Sequence, residues 1–365
     1  MVRDNRLPVA SNDHFYLLIM AGGVGTRLWP KSRKATPKQF QKIIGDETLL
    51  RTTFKRVLPL VTSVDHIFVS TNATSAKLVR KELPELPVKN LIIEPESRNT
   101  APAMAVAAWL IAKRDPEAIV ATAPSDHVVL KEKNFRVAIQ QAIHVLQRDP
   151  NQLVAVGIKP TYPETGYGYI RIGRPSANAK VQSSKFKVQS FRVQEFVEKP
   201  DEKTAQKYLD SGDYLWNASY FVWRADYFLK LVKQHLPGVH KKLPEYPRYF
   251  KTFPNVPVDT AIAEKTKNMV VVPADLGWSD IGSWSAVFDV MKAKKGENVV
   301  SGLHVGIDTK NCLIQGADRL IATVGMENMV LVDTGDVILV AKKDRAQDVK
   351  QIIDKLREQG EKKYF

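Results

Sequence analysis

Six apolar residues, Phe15-Tyr16-Leu17-Leu18-Ile19-Met20, run directly into Ala21-Gly22-Gly23-Val24-Gly25-Thr26-Arg27. An apolar run that stops at glycines reads as a buried strand feeding a turn whose main chain can come close to a ligand. Backbone N–H groups that converge without Cβ atoms in the way make a cradle for phosphate. Arg27 and Lys38 add the positive charge that a polyphosphate needs. Two common phosphate loops are excluded. The stretch lacks the Gly-Lys-Ser/Thr of a P-loop, and Leu28 stands where a dinucleotide-binding loop would carry its third glycine. An ordinary strand-to-helix turn would account for the glycines alone, but not for their company with Arg27, Pro30, Pro37 and Lys38.

Further strand-like runs follow at His66 to Thr71, Asn90 to Glu94, Ala118 to Ala123 and Leu153 to Gly157. Helical patterns lie between them, at Thr48 to Leu60, Ala73 to Leu83, Ala101 to Lys113 and Asn134 to Gln147. This alternation predicts an α/β fold, a Rossmann-like, mostly parallel sheet with helices on both faces. Ligands of such sheets bind beyond the carboxyl ends of the strands. The glycine loop, Glu94 and Pro124-Ser125-Asp126-His127 all fall at such ends. Tyr162 to Val197 is rich in β-branched and aromatic residues and adds antiparallel strands, while Thr204 to Ser211 and Ala225 to His235 read as helices. After Trp284 the runs become short and are punctuated by Gly and Asp, as at Leu320 to Val324 and Met329 to Val332. The expected organisation is a loose N-terminal arm at 1–13, a main domain at 14–292, and a small β-rich, β-helix-like domain with a terminal helix at 293–365.

Composition narrows the class of ligand. The 365 residues carry a net charge of +15, so anionic partners are expected. Eight basic residues between Lys31 and Arg56 face only Asp46 and Glu47. They form either a solvated basic surface or a mouth that attracts polyphosphate. Nucleic acid is not the expected partner, because no recognition motif and no aromatic platform for single strands accompanies them. The one cysteine, Cys312, precludes an intrachain disulfide and fits a reducing, cytoplasmic setting. No apolar stretch approaches the length of a membrane span.

Ala21-Gly-Gly-Val-Gly-Thr-Arg-Leu-Trp-Pro-Lys-Ser-Arg followed by Pro37-Lys38-Gln39-Phe40 resembles the signature of mannose-1-phosphate guanylyltransferases, or GDP-mannose pyrophosphorylases. The resemblance continues in the family's order. Glu94-Pro95 with Arg98-Asn99-Thr100-Ala101-Pro102-Ala103 is similar to its base-recognition segment, and Pro124-Ser125-Asp126-His127 to its metal-binding turn. Gly166-Tyr167-Gly168-Tyr169-Ile170, Val197-Glu198-Lys199-Pro200 and Asp280-Ile281-Gly282-Ser283-Trp284 resemble its sugar-site and second metal segments. One segment departs. Trp216-Asn217-Ala218-Ser219-Tyr220-Phe221 stands where the family has Trp-Asn-Ser-Gly-Met-Phe, which bears on how closely the backbone can approach the sugar. The chain is expected to be too short for the cupin-type isomerase domain of longer relatives, and so to be a short, monofunctional bacterial enzyme.

The resemblance implies transfer of GMP from GTP to mannose 1-phosphate, giving GDP-mannose and pyrophosphate. The nucleotide would be held by Ala21, Gly22, Gly23, Gly25, Thr26, Arg27, Glu94, Asn99, Ala101, Ser125 and Asp126. The sugar phosphate would be held by Gly168, Glu198, Lys199, Asn217 and Asp280. Arg27, Lys38, Lys199, Asp126 and Asp280 would carry catalysis. Mg²⁺, or another divalent cation, would sit on Asp126 and Asp280, since it favours one or two carboxylates with phosphate oxygens and water. Either aspartate could instead cap a following helix, and Lys199 could be no more than an ion-pair partner of Glu198. No protein nucleophile is called for, because the sugar phosphate is already ionised. The alternatives are another sugar-1-phosphate nucleotidyltransferase, differing in base or sugar, and a catalytically silent regulatory paralogue. A homodimer is expected, with no membrane partner.

Overall fold

A computed structural model describes residues 13–23, 25–176, 182–183, 186–187, 189–292, 294 and 296–365. The expected arm at 1–13 lies outside the described residues except for Asp13. The chain divides into two compact units. The first comprises residues 1–22, 53–125 and 129–278, and the second residues 23–52, 126–128 and 279–365. This grouping follows packing rather than chain order, and so differs from the consecutive ranges 14–292 and 293–365.

The first unit is built on a nine-stranded sheet. Its strands are β1 (Phe15–Met20), β2 (Ile67–Asn72), β3 (Leu91–Glu94), β4 (Ile119–Pro124), β5 (Leu153–Ile158), β6 (Gly168–Pro175), β7 (Phe191–Glu198), β8 (Tyr214–Arg224) and β9 (Met269–Ala274). Their spatial order is β3-β2-β1-β4-β8-β5-β9-β7-β6. The β1, β2, β3 and β4 pairings are parallel, as is β5 with β9. β8 runs antiparallel to both β4 and β5, and β7 antiparallel to both β9 and β6. The sheet is therefore mixed, with β8 and β7 running against the other strands. Four of the five apolar runs read from sequence are strands buried along nearly their whole length, as strands covered on both faces are, and the fifth, β3, is a half-buried edge strand.

Helices α2 (Thr100–Arg114) and α5 (Ala225–His235) share a core with Tyr16, Leu18, Phe68, Val120, Phe221 and Trp223. Alternation along β8 points Tyr220 to the opposite face. There it meets Phe135 of α3 (Glu132–Arg148), with ring centroids 5.1 Å apart. α1 (Ala76–Glu82) and α4 (Glu202–Ser211) complete the longer helices of this unit. Two features went unread in the sequence. β8 is a full strand at a segment read only for its family motif, and residues 237–265 form short helical turns that line the α2–α5 core.

The second unit stacks β10 (Val299–Ser301), β12 (Leu313–Gln315) and β14 (Met329–Asp333) in parallel register. β11 (His304–Ile307) and β13 (Ile321–Val324) form a second parallel pair. Successive turns of one coil produce this pattern, so the C-terminal region is β-helix-like. β15 (Ile338–Lys342) closes the stack antiparallel to β14. A larger core joins Leu28, Trp29, Ile281, Trp284, Leu313, Val330, Val349 and Ile353, drawing in α6 (Trp284–Met291) and α7 (Val349–Glu358). Cys312, Ile314 and Ile321 fill the coil itself. Among the described residues no helix is long and apolar enough to cross a membrane. Ile314 is fully buried, so Ile314→Ala should lower unfolding free energy by about 2–4 kcal/mol. Denaturation showing a loss well under 1 kcal/mol would mean that the coil is not close-packed.

Candidate active site

In the second unit the glycine loop leads into a short 3-10 turn, Thr26–Leu28, entered through Gly25 at φ 72°. Any Cβ at Gly25 would overlap the Lys38 Cβ, so glycine there lets the Lys38 segment close against the loop. Lys38 is 5% exposed. Its ammonium donates to Asp126 Oδ2 at 3.1 Å and to the main-chain oxygen of Asp280. One cation thus draws two residues from distant parts of the sequence to its own segment. Burial alone would raise the Asp126 carboxyl. Lys38 outweighs it, with His127 helping, and Asp126 is held below the usual carboxylate range. Arg27 lies exposed on the turn itself.

Asp280 accepts from the Gly282 N–H at 3.0 Å. It does not cap α6. That position belongs to Ser283, which accepts from the Ala286 N–H. Between them Ile281 is fully buried at φ 39°, a left-handed backbone that β-branched residues avoid. The surroundings hold it there. Its N–H donates to Ser279 Oγ, and the Trp284 indole donates to the Trp29 carbonyl at 2.8 Å. Trp29 in turn donates to the Tyr364 carbonyl at 2.6 Å. The basic stretch is partly structural. Arg33 is engaged by Asp336 and Thr334, and Arg56 is 1% exposed, stacked over Phe135 in the first unit.

The remaining candidates lie in the first unit and form two groups. At the end of β3, Glu94 is 7% exposed and accepts from Ser70 Oγ at 2.8 Å. Burial pushes its pKa up to about 6. Asn99, at φ 65°, caps α2 by accepting from the Thr100 N–H, and Ala101 is fully buried with its N–H on the Val256 carbonyl. Both therefore have evident work in the fold. Ala21 is fixed by Ser70 and Thr71. Ser125 is 1% exposed, its N–H on the Met20 carbonyl and its hydroxyl without a partner among the described residues.

The second group centres on Asn217. A Cβ added to Gly168 would stand 2.5 Å from Glu198 Oε2 and 3.3 Å from Asn217 Cβ, so glycine is what lets β6 approach both. Lys199, at φ 50°, is mostly exposed and donates to Glu198 Oε1 at 2.7 Å. The Asn217 amide donates to Asp259 Oδ1 at 2.6 Å and accepts from the Ser219 N–H at 3.0 Å. Ser219, standing where the family carries glycine, adopts φ 54°. It does so where the β8–β5 register shifts between Asn217 and Phe221, and Thr122 Oγ donates to its carbonyl. Serine thus holds a left-handed bend here, a backbone that glycine adopts at lower cost.

Asp259 was not singled out in the sequence. The signal was there, as one carboxylate among the apolar residues from Val256 to Ala263. It is 8% exposed. Burial first, and the neighbouring Glu198 second, push its pKa up to about 6.

Residues 16–297 match the family model for nucleotidyl transferases. Residues 302–356 match that of the MannoseP isomerase/GMP-like beta-helix domain. The chain is 37% identical over 359 residues to the Xanthan biosynthesis protein XanB of Xanthomonas campestris pv. campestris (strain B100), covering 94% of this chain and 73% of that protein. It is 36% identical over 363 residues to a mannose-1-phosphate guanylyltransferase of Escherichia coli (strain K12), covering 94% and 74%. A solved structure described as a mannose-1-phosphate geranyltransferase from Thermus thermophilus superposes with a TM-score of 0.85 at 31% identity, covering 94% of this chain and 99% of that one.

The geometry around Asn217 bears on stability at two positions. Ser219→Gly removes the cost of a left-handed non-glycine residue and should stabilise the protein by about 0.5–1 kcal/mol. A lowered melting temperature would show that the serine side chain itself holds the bend. The folded protein binds the Asp259 proton more tightly than the unfolded chain does. The resulting penalty is absent below the ordinary value of 3.8 and complete once the pH passes about 6. Asp259→Asn should therefore gain on the order of 2 kcal/mol at pH 8, with the gain gone at about pH 4. Melting curves across that range that show no pH-dependent difference would refute the buried-charge account.

Proposed function

As the chain belongs to the nucleotidyl transferase family, among the mannose-1-phosphate guanylyltransferases, we propose that it transfers GMP from GTP to mannose 1-phosphate with the residues described above. The observation that carries the residue assignment is the gathering of Asp126 and Asp280 by the Lys38 ammonium.

A sugar-phosphate oxygen attacks the α-phosphorus of GTP, the bond to the bridging oxygen breaks, and pyrophosphate leaves with the electron pair. Repulsion between two anions dominates the barrier, so the protein's task is to position and neutralise. Arg27 and Lys38 would face the β- and γ-phosphates and stabilise the leaving group, a kind of contact worth roughly 3–4 kcal/mol per donor. Lys199 would exchange Glu198 for the sugar 1-phosphate. This is a cheap exchange, since an exposed ion pair contributes only about 0–1 kcal/mol. Glu198 and Asn217 would meet sugar hydroxyls. Glu94 is ionised at neutral pH and would accept from the guanine N–H donors, with Ser70 setting its angle. The Ser125 hydroxyl, buried and unpartnered among the described residues, has the character of a group awaiting a nucleotide.

Asp126 and Asp280 suit a divalent cation. Among the described residues no cluster of three or more acidic, histidine or cysteine ligands forms a closed cage. Two carboxylates are what Mg²⁺ asks of a protein when phosphates and water complete its shell. Bound there, it would neutralise phosphate charge and orient the attack.

We also read the chain as a homodimer. Support comes from Leu303, Val305, Ile307, Leu320 and Val324, apolar residues exposed along the β11–β13 pair.

Pyrophosphate release measured across nucleotides and sugar 1-phosphates should be fastest with GTP and mannose 1-phosphate, and should stop when divalent cations are chelated. Best turnover with UTP or dTTP would sink the guanylyl assignment. Asp280→Asn should lower kcat at least about a hundredfold with the fold intact, and near-normal turnover would remove Asp280 from the metal site. Light scattering at micromolar concentration should give a dimer mass, and a monomer mass would end the dimer reading.

A further inference from the structure

Asp259 occupies a short helical turn, Val258–Ala261, among buried apolar residues. A carboxylate in such a place is expensive. The hydrogen bond it accepts from the Asn217 amide, at 2.6 Å, is charge-assisted and stronger than one that a neutral asparagine in its place would accept. Packing gives no other reason for the charge, and costly features of this kind gather where function needs them.

A second observation lies beside it. Glu198 Oε2 is buried and has no hydrogen-bond donor among the described residues. It lies against Gly168, where an added Cβ would stand 2.5 Å from it and 3.5 Å from the Asn217 amide nitrogen. The Lys199 ammonium is a donor here, but it is taken by Glu198 Oε1, and apart from it the acceptors around Asn217 outnumber the donors. Glu198 Oε2 lacks a partner, Asp259 is ionised above about pH 6, and the Asn217 oxygen already takes the Ser219 N–H. A ligand that completes this group must bring hydroxyl donors, as a pyranose with adjacent hydroxyls does.

The Asn217 amide is pinned at both ends. Its oxygen receives the Ser219 N–H and one of its two N–H bonds goes to Asp259. The other N–H is left as a donor of fixed direction, beside the acceptor Glu198. We propose that Asp259 is a positioning residue for sugar recognition: it locks the Asn217 amide so that Asn217 and Glu198 present one donor and one acceptor to neighbouring hydroxyls, and so discriminates between epimeric sugar 1-phosphates. The assignment rests on the sugar-binding role given above to Asn217 and Glu198.

The test uses the full chain with GTP and Mg²⁺. Asp259→Asn should raise KM for mannose 1-phosphate about tenfold, the worth of one hydrogen bond to a charged group. KM for GTP should stay within about twofold, and preference over glucose 1-phosphate should narrow by a similar factor. Asn217→Ala should show the same pattern, and Asp259→Asn should add nothing to it, because the aspartate acts through the amide. Additive effects in the double variant, an unchanged sugar KM, or an equal rise in the GTP KM would each overturn the proposal. A merely structural aspartate would lower the melting temperature of Asp259→Asn, which is expected to rise. If the wild type prefers another sugar phosphate, the same cycle is run with that one, and the mannose reading falls while the role of Asp259 is still decided. Titration calorimetry with the sugar phosphates gives the same comparison without turnover.

Discussion

The ammonium of Lys38 is the cation on which the second unit's candidate chemistry depends. It is nearly buried, and a buried charge must find partners. Its partners are the Asp126 carboxylate and the Asp280 main chain. Three segments that sequence leaves far apart are thereby held together. Gly25 makes the approach possible by having no side chain, and Ile281 accepts a disfavoured backbone to deliver Asp280. The core of Leu28, Trp29, Ile281 and Trp284 stands behind both. Apolar packing thus supplies the free energy that a charged cluster and a strained turn consume.

Strain recurs at the candidate residues of the first unit. Asn99, Lys199 and Ser219 join Ile281 among the non-glycine residues with positive φ. Each lies in a segment singled out for substrate contact, and each is restrained by a named hydrogen bond or by neighbours in a sheet. Asn99 carries its own cap, and Lys199 donates its N–H to the Tyr167 carbonyl. Such positions fix a side chain's direction before any ligand arrives, which is the preorganisation that electrostatic catalysis requires.

Much of this was legible in the sequence because it rests on local pattern. Apolar runs marked the parallel strands, and α5 spans the same residues, Ala225–His235, that its periodicity suggested. The glycine loop announced itself by composition. Less was legible where structure depends on distant partners. β8 escaped notice because its alternation breaks at the shift between Asn217 and Phe221, and because its neighbours β4, β5 and β6 come from elsewhere in the chain. Asp259 gains its meaning only from Asn217, 42 residues earlier. The basic stretch misled in part, since charge count cannot tell that Arg33 is taken by Asp336.

The bond from the Trp29 indole to residue 364 ends on a main-chain carbonyl rather than a side chain. The bond therefore depends on the number of residues leading to 364 rather than on which side chain stands there. A one-residue insertion or deletion after α7 would move a different carbonyl under the indole and weaken the contact that holds Trp29 behind the glycine loop.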